Sequence, residues 1–69
     1  MNAHKKMQRE VARMLEEAKS RGLLDKLSKA HAEGAQHSIH RINLVQLAHM
    51  HMVLKSALAN GQHIKISRN

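Results

Sequence analysis

The sequence predicts an all-α protein, a helical hairpin of two long helices paired into a dimeric helical bundle. Three observations predict it. Apolar residues recur at helical spacing over most of the chain, there is no proline, and Gly22, Gly34 and Gly61 fall where that pattern shifts or stops. The dimer follows from size. A chain of 69 residues without cysteine, Phe, Tyr or Trp must build its core from Leu, Ile, Val, Met and Ala. A core so small is most simply completed by a second copy of the chain.

One domain is expected over residues 1–69, with a helix over about 3–33, a loop at 34–37, a helix over about 38–59 and a tail at 61–69. In the first helix Met7, Val11, Met14 and Ala18 form an amphipathic stripe widened by Leu15. Lys6–Glu10, Arg13–Glu17 and Glu17–Arg21 stand at i,i+4 and support the opposite face by a few tenths of a kcal/mol each. Past Ala18 the stripe loses register and a new one begins at Leu23, Leu24, Leu27 and Ala30. Gly22 marks the change, so the helix either bends there and continues or ends in a glycine cap. The closeness of the two stripes favours the continuous form.

Gly34-Ala35-Gln36-His37 reads as the interhelical loop, with Gly34 stopping one helix and Ser38 capping the next. The last helix stops at Asn60-Gly61. On its wheel His40, Leu44, Leu47, His51, Leu54 and Leu58 share one face, and Ile42, Val45, Met52 and Val53 lie opposite. Only a narrow stripe around Arg41, Ala48 and Lys55 is solvent-like, so this helix belongs at the centre of its assembly. Leu44, Leu47, His51, Leu54 and Leu58 are the expected dimer core. The tail alternates like a strand from Gln62 to Asn69; its expected state is frayed, packed back through Ile64 and Ile66, or paired with a partner's edge, with fraying the default.

Charge narrows the function classes. Twelve Lys/Arg stand against five Asp/Glu, a formal net charge of +7, and seven histidines add to it below about pH 6.5. All the acids precede Gly34, so the second half is unbalanced and favours anionic partners. No Cys nucleophile, Gly-rich phosphate loop or serine elbow is present, and the acids sit among cations on a helix surface, so catalysis is not expected and no cofactor is called for. His37 and His40 are i,i+3 and could face one ion with His31 across the loop. His49 and His51 diverge on a helix, and no HExxH pattern supports them, so no metal ligands are assigned. The charged amphipathic start is unlike a secretory leader, and the uncharged run Ile42–Leu54 is shorter than the ~20 residues of a bilayer span. With no interfacial Trp or Phe, membrane binding is not expected either, and a cytoplasmic location is the default.

Macromolecular binding remains. Lys5, Arg9 and Arg13 recur one turn apart, and with Met14 and Arg21 they are the expected partner-binding residues. Ala30 and Gly34 have the spacing of the small residue and turn glycine of the helix-turn-helix family, which the segment resembles at those two points. Lys29, Glu33 and His40 stand where that motif wants apolar residues, and Ile39 and Ile42 fall one step out of register. The whole profile, short, basic, cysteine-free and without a catalytic motif, resembles small helical regulators and host-takeover inhibitors encoded by phages and plasmids. That resemblance is of profile and assigns no residue. It implies a homodimer that docks on a host protein, such as a transcriptional activator or motor ATPase, and inhibits or modulates it. The alternative is a nucleic-acid-binding regulator using the segment around Gly34.

Overall fold

The computed structural model describes residues 2–64, except for the side chains of Lys26 and Leu27. Among the described residues the chain is all-helical, with three α-helices where a two-helix hairpin was expected: α1 (Ala3–Ser20), α2 (Lys26–His37) and α3 (Leu44–Asn60), with a 3-10 turn at Ile39–Arg41.

Each helix begins at an Asx residue whose side chain accepts a hydrogen bond from an early backbone N–H. Asn2 accepts from His4, Asp25 from Ser28 and Asn43 from Gln46, at 2.7–2.9 Å. Such a cap satisfies a donor that no helical carbonyl can reach, and contributes roughly 1 kcal/mol. α1 ends at Gly22. Its φ of +69° lets Leu23 N–H reach the Ala18 carbonyl (3.0 Å) while Gly22 N–H reaches that of Lys19 (3.1 Å). This is a Schellman closure, and it brings the buried residues Leu23 and Ala18 together. The change of stripe at Gly22 is therefore a true helix end, and a continuous helix over 3–33 does not form.

The expected loop at 34–37 does not form either. Gly34 lies inside α2, where a single glycine costs about 1 kcal/mol relative to alanine and is tolerated. The helix stops only at Ser38, whose N–H and Oγ both donate to the Gly34 carbonyl, at 3.1 and 2.8 Å. Ser38 thus closes α2, and its side chain does not cap the 3-10 turn after it. The last helix starts at Leu44, six residues later than about 38, because Asn43 supplies its cap. It ends at Gly61 (φ +64°), as the Asn60-Gly61 signal predicts.

α3 packs chiefly on α1, and α2 touches α1 more sparsely. Val11, Leu15, Ala18, Leu47 and Leu54 form the centre of the core. The chain after Gly61 returns to the turn between α1 and α2: Ile64 N–H donates to the Leu23 carbonyl (2.8 Å), Leu24 and Ile64 form a parallel bridge, and Ile64 is buried. Up to Ile64, then, the tail packs back and does not fray. Residues 65–69, including Ile66, lie outside the described residues.

Candidate docking surface

The apolar wheel of α3 is divided between two environments. Leu47 and Leu54 are buried against α1 within the same chain. His51, half-buried, meets Glu10 of α1 at 2.8 Å. Leu58 packs at the core's edge, while Leu44 remains 47% exposed. The face expected to form a dimer core is thus largely taken up inside the chain, because the Met7–Val11–Met14–Ala18 stripe of α1 needs it. The other side is left open: Val45 is 80%, Met52 63% and Val53 40% exposed.

That open side forms one wall of a cleft of about 830 Å³ between α3 and α2. Leu15, Leu54 and Ile64, all buried, form its floor. Ile42, Val45, Gln46, His49, Met50 and Val53 line the α3 side, and His31 and Ala35 the α2 side. The cleft exists because α1 holds α3 and α2 separately, with little direct contact between α2 and α3. No acidic residue among the described ones lines it.

The acids are engaged elsewhere. Glu10 meets His51, Glu17 meets Arg21 (3.4 Å), Glu16 and Glu33 flank Lys19 (3.3 and 3.8 Å), and Asp25 caps α2. Gln36 Nε2 donates to Glu16 (3.2 Å) and to the Ala12 carbonyl (3.3 Å), tying α2 to α1. The Gln36 hydrogen bond, then the hydrogen bond and charge of Lys19, hold the Glu16 carboxyl below its ordinary pKa. Of the i,i+4 pairs read from the sequence, only Glu17–Arg21 forms. Lys5, Lys6, Arg9, Arg13, Lys29, Arg41 and Lys55 make no ion pair among the described residues.

The residues expected to bind a partner separate accordingly. Lys5, Arg9 and Arg13 are exposed along α1. Met14 is buried in the core and has no side chain to offer, because it belongs to the stripe facing α3. Arg21 is a tie within the fold: its Nη1 donates to the Leu58 carbonyl at 3.0 Å as well as to Glu17. The helix-turn-helix resemblance loses its turn, since Gly34 is helical. Sequence reasoning did not single out Val45, His49 and Val53 as site residues. Their signal is present in the second apolar face of α3, but which face α1 covers cannot be read from either stripe alone.

Among the described residues no three His, Asp or Glu side chains come together as a metal site, and no helix is long and apolar enough to cross a membrane. Comparison with protein-family models, curated proteins and solved structures gives no match.

Proposed function

We propose that this chain is a non-enzymatic binding module that docks on a protein through the α2–α3 cleft and thereby inhibits or modulates it. The observation that carries this reading is the exposed apolar wall of α3, above all Val45 and Val53 beside a buried floor. Single exposed apolar residues are ordinary on a protein surface, but several lining one concavity mark an interaction site. Two of the four large apolar side chains left exposed among the described residues, Val45 and Val53, line this cleft.

The test compares wild type with Val45→Glu as baits in a nuclease-treated lysate of the natural host, read by mass spectrometry. Val45 is mostly exposed and lies in the first turn of α3, where a carboxylate suits the helix dipole, so the variant keeps its fold. A protein captured in stoichiometric amount by the wild type and lost with Val45→Glu supports the reading. Equal capture by both moves the binding surface away from the cleft.

A second reading rests on the basic edge of α1. Lys5, Arg9 and Arg13 are exposed, one turn apart and without ion pairs among the described residues, which suits phosphate contacts along a nucleic acid. It predicts affinity for duplex DNA or RNA that falls with log salt, with a slope of about 0.9 per phosphate contacted on B-DNA. A flat salt response, or no gel shift, removes it.

A further inference from the structure

We propose that the occupant of the cleft is an amphipathic helix of a partner protein, with acidic residues flanking its apolar face. The inference rests on the reading of the cleft as the docking surface and adds the chemistry of what fills it.

Shape supplies the first half of the argument. The cleft is a trough beside a 17-residue helix, about 25 Å long at 1.5 Å per residue. Its walls are mainly apolar, with Ile42, Val45, Met50 and Val53 on one side and Ala35 on the other, interrupted by Gln46, His49 and His31, above a floor of Leu15, Leu54 and Ile64. An apolar trough of that kind takes the i, i+3, i+4, i+7 side chains of a helix. Met50 can adjust to their shape. The chain has no Phe, Tyr or Trp, the side chains on which nucleic-acid bases stack best.

Charge supplies the second half. Among the described residues the titratable side chains lining the cleft are two imidazoles, His31 and His49, and none is acidic. Each of the five acids is held in a contact described above, whereas seven cations make no ion pair among the described residues. The field left for a partner is therefore positive. A second copy would bring another +7 to the same acid-free surface. Arg41 and Lys55 stand next in the chain to the cleft-lining residues Ile42 and Leu54, and at 0.1 M salt screening sets in only over about 10 Å. Complementarity favours a partner helix bordered by Glu or Asp over a second copy of this chain.

Two synthetic helical peptides of about 18 residues test this. Both carry leucines at i, i+3, i+4 and i+7 and one tryptophan; one is flanked by glutamates, the other by lysines. The protein has no tryptophan or tyrosine, so peptide fluorescence reports binding directly. The expected result is at least about tenfold tighter binding of the glutamate peptide at low salt, with the difference shrinking at high salt. Val45→Glu should weaken it, and Lys6→Gln, which lowers the net charge by the same amount away from the cleft, should leave it nearly unchanged. Equal affinity for both peptides, each weakened by Val45→Glu, overturns the acidic-helix inference and leaves the cleft as the docking surface. Binding indifferent to Val45→Glu overturns both. If neither peptide binds and the chain sediments as a dimer that Val45→Glu dissociates, the occupant is a second copy and the inference fails.

Discussion

Leu47 and Val45 stand two positions apart on the same helix and have opposite fates, one wholly buried and the other 80% exposed. Leu47→Arg would place an unpaired charge in the α1–α3 core, and the expected loss is about 3–5 kcal/mol. Val45→Glu should change stability by about 0.5 kcal/mol or less, as surface substitutions usually do. Urea titrations followed by far-ultraviolet circular dichroism check both; a folded Leu47→Arg variant of near wild-type stability would contradict the packing of α3. Glu16 gives a pH signature. Its folded pKa is lowered, first by the hydrogen bond from Gln36 and then by Lys19. The carboxylate's contribution is thus complete above the ordinary glutamate value near 4.3, and is lost as pH falls through the lower folded value. Gln36→Ala removes the larger cause. The variant should lose less stability than wild type between pH 5 and pH 3 (approximate limits) in thermal melts, with the two converging at the acid end apart from the lost Ala12 contact.

At the scale of the element, two glycines make opposite predictions. Gly22 sits at φ +69°, where any Cβ is strained although space around it is open, so Gly22→Ala should destabilise by about 1 kcal/mol. Gly34 is helical, and a Cβ added there would meet nothing within 4 Å, so Gly34→Ala should stabilise by roughly 0.5–1 kcal/mol. If Gly34→Ala instead destabilised, α2 would not run through that position. These residues also show how far the elements are legible. The end of α3 is readable because Asn60-Gly61 combines a lost apolar stripe with a cap residue. Gly22 is readable as a change of register but not as an end, since a bend and a Schellman closure leave the same stripe. Gly34 misleads because a tolerated helical glycine and a helix stop are identical in sequence. The deciding bonds, from Ser38 back to Gly34 and from Gln46 to Asn43, depend on which of several competing Ser and Asn caps wins.

For the whole molecule, fold class, positive field and the two-sided apolar character of α3 can be read from the chain, whereas the cleft cannot. A hairpin leaves a second copy to cover α3; three helices let α1 cover one side and α2 stand beside the other. Of the face named for a dimer, Leu47 and Leu54 are internal, whereas Leu44, Val45, Met52 and Val53 are the large apolar residues left exposed for any self-association among the described residues. With +7 on each copy, the expected state at low ionic strength is a single chain. Raising salt screens that repulsion and strengthens apolar contacts, so any dimer should grow with salt. Sedimentation equilibrium at two salt concentrations checks this, and a dimer that is firm at low salt and weakens with added salt would contradict it.

The two walls of the cleft are anchored unequally. α3 is pressed along α1 through Leu47 and Leu54, whereas α2 is held to α1 more sparsely, with Gln36 and the Lys19–Glu33 pair among its ties. The structure is a vice with one fixed jaw and one adjustable jaw. If the cleft takes a partner helix as proposed, α2 is the wall that would yield to helices of different girth, and amides of α2 should exchange with solvent faster than those of α3 until a partner is bound.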